Sequence, residues 1–146
     1  MRLAAFQPDI PGNLGALMRL SVCFGAPLHV IQPCGFPFSA KAVKRAAMDY
    51  GAEAEIISHD SWERFQADRA PGRLVLMTTK GASAHWDIAY RPTDYLLLGQ
   101  ESAGAPDFVH AAADARAKIA MPGGGRSLNV AIAAGIALAE AARQIA

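Results

Sequence analysis

Short unbroken apolar runs alternate along this chain with longer segments whose apolar residues recur every three or four positions. The runs occupy Arg2–Phe6, Leu28–Ile31 and residues 54–57, 73–77, 94–98 and 117–121. Continuous apolarity over so few residues is what a strand covered on both faces requires. Leu14, Leu17 and Leu20 share a face of a helix predicted over residues 14–24, with Asn13 as its cap and Gly25 as its stop. Ser39 caps a basic helix bearing Lys41, Lys44 and Arg45, and Gly51 punctuates the chain after it. Asp60 or Ser61 caps a helix containing Trp62 and Phe65. A short helix is predicted over residues 106–112 and a long one over 127–144. Strands alternating with helices predict an α/β fold, a mostly parallel sheet flanked by helices. The Ala/Gly-rich last helix suits close packing, against the sheet or against a helix of this or a second copy of the chain.

Length and composition narrow the class. At 146 residues the chain is expected to form a single domain. Hydrophobic residues at 52% and charged residues at 18% describe a globular chain, not a disordered one. The longest apolar run, residues 130–139, is about half the length that spans a bilayer. The first six residues are too short for a signal-peptide core, and Asp9 and Pro11 follow at once. The expectation is a cytoplasmic protein with no membrane partner. Cys23 and Cys34 read as reduced thiols in or near the core, and with the four histidines they make no metal-ligand spacing, so no metal is expected. A net charge of +1 excludes a strongly basic nucleic-acid binder while leaving room for a local patch.

The chemistry concentrates in three glycine-bearing loops after C-terminal strands, at residues 78–81, 99–104 and 122–127. In parallel sheets ligands bind beyond the carboxyl ends of strands, and bare backbone leading into a helix N-terminus offers free N–H donors. The glycines lack the spacing of a dinucleotide fingerprint or a Walker loop. Arg19 reads either as a solvated side chain or as a fork for an anion. Glu101 is a charged turn residue or a ligand-site carboxylate; Asn129 is a cap or a tie between loops. Arg126 reads as a solvated side chain or, from its neighbours, a phosphate contact. Lys41, Lys44 and Arg45 are a solvated face or a phosphate contact, beside Phe36 and Phe38, which are suited to stacking on bases. His29 reads as a satisfied core imidazole, and His59, His85 and His110 share no spacing of a site.

Taken together these residues resemble the SPOUT superfamily of RNA methyltransferases. Three signatures occur in order: Pro8-Asp-Ile-Pro-Gly-Asn-Leu-Gly-Ala-Leu-Met-Arg19, continuing through Gly25 to Pro33 and Gly35-Phe36; Leu98-Gly-Gln-Glu-Ser-Ala-Gly-Ala-Pro106; and Ile119-Ala-Met-Pro-Gly-Gly-Gly-Arg-Ser-Leu-Asn129 with Glu140, Arg143 and Gln144. Residues 45–50 and 78–81 narrow the likeness to the small single-domain branch that resembles the tRNA (cytidine/uridine-34) 2'-O-methyltransferases. The resemblance implies a trefoil knot near the C-terminus and S-adenosylmethionine held by the knotted loops. It implies Met77, Gly99, Met121 and Ser127 at the cofactor, with Gln100, Glu101, Ile119 and Leu128 beside them. It also implies a homodimer, Arg19 at the ribose hydroxyl, and the tRNA anticodon loop against Asn13, Lys41, Lys44, Arg45, Lys80, Arg126 and Asn129. A guanidinium is a poor base, so Arg19 is expected to bind phosphate and stabilise alkoxide charge while water or phosphate takes the proton. Gln100, Ala139 and the short loop before Arg126 depart from the family pattern. Three alternatives stay open: the same chemistry on another tRNA position or ribosomal RNA, a non-catalytic RNA-binding knot, and a binder of small nucleotides.

Overall fold

A computed structural model describes residues 1–46 and 53–146, with Lys44 and Ala46 as backbone only. Gly51 and the end of the 45–50 motif lie outside the described residues. Seven strands appear in chain order: β1 (Arg2–Phe6), β2 (Leu28–Ile31), β3 (Ile56–His59), β4 (Leu74–Met77), β5 (Ser83–Ala84), β6 (Tyr95–Leu98) and β7 (Ala115–Lys118). They form one sheet in the order β3-β2-β1-β6-β4-β7-β5, every pair parallel. The helices are α1 (Pro11–Phe24), α2 (Ala40–Ala46), α3 (Trp62–Asp68), α4 (Asp107–Ala112) and α5 (Val130–Ile145).

Alternation along each strand divides the core in two. Leu3, Ala5, Leu28, Val30, Val75, Leu96 and Leu98 face α1 and α5, meeting Leu14, Leu17, Met18, Ala134, Ala137 and Leu138. Ala4, Phe6, Ile31, Leu74, Leu76, Tyr95 and Leu97 face the other way, onto Trp62 and Phe65 of α3 and Val109 of α4. Both sheet faces are therefore dry, which is why the strand runs are unbroken. Asp94, fully buried at the start of β6, is held bidentately by Arg73 at 3.0 and 2.7 Å and accepts from the Arg91 N–H. A buried carboxylate is tolerable on those terms.

Several boundaries differ from expectation. α1 begins at Pro11, not at residue 14: proline at a helix start loses nothing by lacking an N–H, and Ile10 precedes it without a side-chain cap. Asn13 is thus inside the first turn and is not the cap. Gly25 ends α1 in the left-handed region (φ 60°) as expected, the Ala26 N–H donating to Ser21 O at 2.9 Å. Ser61, not Asp60, caps α3, accepting from the Arg64 N–H at 3.1 Å. α5 begins at Val130 instead of residue 127, and Asn129 is its cap. The last strand lies at Ala115–Lys118 instead of 117–121, because β4 pairs no further than Met77 with Ala117 and β5 no further than Ala84 with Lys118. β3 runs through His59, beyond the predicted residue 57, in register with β2 to its end.

Side-chain placement brings further corrections. Cys23 is exposed, because α1 turns Leu14, Leu17, Met18 and Ser21 inward; Cys34 is half-buried, and burial pushes its thiol up to about 11. Phe36 and Phe38 are half-buried and pack against the first core. His29 is a core imidazole with a partner: its Nδ1 lies 2.8 Å from His59 Nε2. α5 packs on α1 within the chain, and Gly135 faces Leu20, where a Cβ would meet Cδ2 at an ordinary contact distance of 3.5 Å.

Candidate functional site

β6, β4 and β7 are neighbours in the sheet, so the loops after their carboxyl ends lie side by side. With the first turn of α1 and the start of α5 they enclose a cleft of about 500 Å³. Its walls are mixed. Met77, Leu98, Ile119, Met121 and Leu128 give apolar surface, Lys80 and Lys118 are cationic, and Glu101 is the one carboxyl side chain lining it among the described residues.

Each loop is held by local chemistry. After β6, Gln100 and Gly104 exchange backbone hydrogen bonds, both 3.0 Å, and Gly104 adopts φ 67°. That folds the loop back onto Gly99, where a Cβ would lie 2.7 Å from the Ala105 nitrogen and the Gly104 carbonyl carbon. The loop therefore presents backbone at that point and nothing else. After β4, the Lys80 N–H donates to Thr78 Oγ1 at 3.2 Å, and Thr78 Oγ1 lies 2.9 Å from His110 Nε2. His110 Nδ1 faces the Pro106 carbonyl at 3.3 Å and must carry the proton there. Nε2 then accepts from the Thr78 hydroxyl, a tautomer fixed by its partners. This chain ties the β4 loop to the β6 loop. After β7, the Gly124 N–H donates to Met121 O at 3.0 Å, closing a turn with Gly124 at φ 80°.

The remaining wall is a polar network. Asn129 Oδ1 accepts from the Ala131 and Ile132 N–H groups at 2.9 and 3.2 Å, while its Nδ2 donates to Asn13 Oδ1 at 2.8 Å. Asn129 is thus both cap and tie, the two readings its sequence left open. The Asn13 side chain faces the Glu101 carboxyl and favours its charged form. Asp9 and Glu101 clasp each other: the Asp9 N–H donates to Glu101 Oε2 at 2.9 Å, the Glu101 N–H to Asp9 Oδ1 at 3.1 Å, and the Ser102 hydroxyl to Asp9 Oδ2. Burial and the adjacent Asp9 carboxyl push Glu101 above the usual carboxylate range; the bonds from Glu101 and Ser102 hold Asp9 below it. Gly35 from the β2–α2 loop packs on Asp9, a Cβ there lying 2.6 Å from the Asp9 Cβ.

The sequence candidates separate cleanly. Met77, Gly99, Gln100, Glu101, Ile119, Met121, Ser127 and Leu128 all line the cleft, and so do Asn13, Lys80 and Asn129. Arg19 lies exposed on α1, nearly two turns past Asn13, outside the lining. Arg126 is exposed in the loop before α5 and does not line the cleft. Lys41 and Arg45 are exposed on α2; the Lys44 side chain lies outside the described residues. Sequence reasoning passed over Lys118, Thr78 and His110, which line the cleft, and Asp9, which meets Glu101 across 92 residues. Asp9 stood inside the first motif, but only the fold brings it to its partner. Among the described residues no group of three His, Cys, Asp or Glu is placed to hold a metal, and no helix is long and apolar enough to cross a membrane.

Comparison with known proteins places this architecture. Residues 1–139 match the model of the SpoU rRNA Methylase family. A protein of Ancylobacter novellus named tRNA (cytidine(34)-2'-O)-methyltransferase is 49% identical over 146 residues, covering 99% of this chain and 92% of that one. A solved structure described as giving insight into the 2-OH methylation of C/U34 on tRNA superposes with a TM-score of 0.88 at 40% identity, over 98% of this chain and 89% of that one. An AdoMet-bound rRNA methyltransferase from Sinorhizobium meliloti superposes with a TM-score of 0.85 at 32% identity, over 99% of this chain but 56% of that one.

Proposed function

The chain belongs to the SpoU rRNA Methylase family, and on that footing we propose that it methylates the ribose 2'-oxygen of the wobble nucleotide, cytidine or uridine 34, of tRNA, with S-adenosylmethionine as donor. The observation that carries this reading is the near full-length likeness, at 49% identity, to a protein named for that reaction.

The residues present fit the donor. The cleft has a volume within the ordinary range for a ligand of that size. Apolar side chains such as Ile119 and Leu128 suit a nucleobase, and the tight loop at Gly99 offers backbone groups that no side chain can shield. Met77, Gly99, Gln100, Glu101, Ile119, Met121, Ser127 and Leu128 would hold it. When bound, S-adenosylmethionine supplies an electrophilic methyl group on a sulfonium.

The chain's own residues supply position and charge. Asn13, fixed at its oxygen by Asn129, donates its amide N–H to a sugar oxygen. Arg19 binds a backbone phosphate of the substrate and stabilises charge developing on the 2'-oxygen. Lys41, Lys44, Arg45, Lys80 and Arg126 meet other phosphates of the anticodon stem and loop. A trefoil knot formed by the C-terminal loops and a homodimer complete the reading. The exposed Ile132 and Ile136 on α5 support the dimer.

The test is incubation with labelled donor and total tRNA, followed by mapping of the labelled nucleotide. Label at a single 2'-oxygen of position 34 is expected; label confined to ribosomal RNA or to another tRNA position would replace the reading.

A further inference from the structure

The proposed reaction releases a proton from the ribose hydroxyl, which water, a substrate phosphate or a side chain of the cleft can take; only a side chain can be tuned by the fold. Arg19 and the cleft lysines Lys80 and Lys118 carry no acceptor lone pair in their charged forms. His110 lines the cleft, but Pro106 O and Thr78 occupy both of its nitrogens. Among the side chains lining the cleft in the described residues, Glu101 is the one carboxylate, and Asn13, proposed above to donate to a sugar oxygen, acts on it.

Resting on the function proposed above, we propose that Glu101 is the acceptor of the 2'-hydroxyl proton and that Asp9 tunes it for that task. Asp9 does not line the cleft; it reaches Glu101 through the reciprocal backbone-to-carboxylate bonds at 2.9 and 3.1 Å and holds Ser102 with its other oxygen. Two carboxyls clasped in this way do not both ionise as readily as one alone, so the pair titrates as a unit. Asp9, with two donors on its oxygens, keeps the charge, and the half-buried Glu101 is the member whose proton affinity is raised, by burial and by the Asp9 carboxyl. The titratable groups meeting Glu101 are Asp9 from the β1–α1 loop and the Cys34 thiol from the β2–α2 loop; Asn13 of α1 is a neutral donor. In the step itself the 2'-oxygen bonds to the methyl carbon as the carbon–sulfur bond breaks with its electron pair. The hydroxyl proton moves to the Glu101 carboxylate, from which it is lost to water.

Single-turnover methylation of tRNA against pH tests this. The wild-type rate falls on the acidic side as Glu101 protonates. Asp9→Asn keeps the shape and one acceptor oxygen but removes the neighbouring charge, so the acidic limb moves to lower pH by about one unit or more. Carbon-13 NMR of the Glu101 carboxyl in the free protein moves in the same direction. Glu101→Gln lowers the single-turnover rate at saturating donor at least about 100-fold, while a melting curve shows the fold intact. A limb and a carboxyl titration that stay in place in Asp9→Asn, or a Glu101→Gln protein that turns over normally, overturn the proposal and leave the functional reading standing. A wild-type protein that labels no RNA overturns both.

Discussion

Gly99 has no room for a side chain, and it sits where the β6 loop is proposed to touch the donor. Ala at this position places a Cβ against the Ala105 nitrogen and Gly104 carbonyl carbon at 2.7 Å, backbone atoms that yield only by opening the turn. Gly99→Ala is expected to weaken donor binding at least tenfold by calorimetry and to lower stability by about 1–3 kcal/mol. Arg19 makes the opposite prediction. It lies on α1 outside the cleft lining, so Arg19→Ala should abolish turnover while donor affinity changes less than about twofold. Loss of both together would assign Arg19 a structural part. The sequence made Gly99 and Arg19 visible through composition and motif; it left Asp9 unread, because its partner stands 92 residues away.

The elements are held at their ends, and two of those attachments have measurable consequences. Asn129 caps α5 and also ties it to α1 through Asn13. Asn129→Ala is expected to cost about 1 kcal/mol through the cap alone and more through the lost tie, read as a lower denaturant midpoint; Asn129→Asp keeps the cap and separates the two terms. Between β2 and β3, burial pulls the His29 imidazole down to about 4, and burial lowers His59 as well. The folded state binds these protons more weakly than the unfolded chain. Their contribution is therefore complete above about pH 6.5 and is lost as pH falls toward 4. The melting temperature should drop between pH 7 and pH 5, and a His29→Leu/His59→Leu double variant should flatten that drop.

At the scale of the whole molecule, the sheet order decides where the site lies. Because β6, β4 and β7 are adjacent and parallel, three loops far apart in the chain open at one rim, with α1 and α5 beside them. α5 keeps its small residues inward, Ala134 and Ala137 fully buried, and turns Ile132 and Ile136 outward at 56% and 37% exposure. One turn apart on one helix face, they are expected to lie in the proposed homodimer interface. Ile132→Glu with Ile136→Glu should halve the mass seen by light scattering and reduce methylation along with it. An unchanged mass would place the interface elsewhere.

The sequence by itself determined the class of fold, most of the elements though not the two-residue β5, and the loops that gather at the cleft. Apolar runs, caps and glycines are local signals, and a parallel sheet always gathers its loops at the carboxyl ends of its strands. All eight residues that the family resemblance implies at the donor line that cleft. Tertiary structure alone decided the pairings: Asp9 with Glu101, Thr78 with His110, His29 with His59, Asn13 with Asn129. It also decided the ends of the strands, since β7 stops where its neighbours stop and not where its apolar run does. A hydrogen bond between residues tens of positions apart leaves no periodicity in the chain, and the proton affinity of Glu101 exists only once burial and Asp9 surround it.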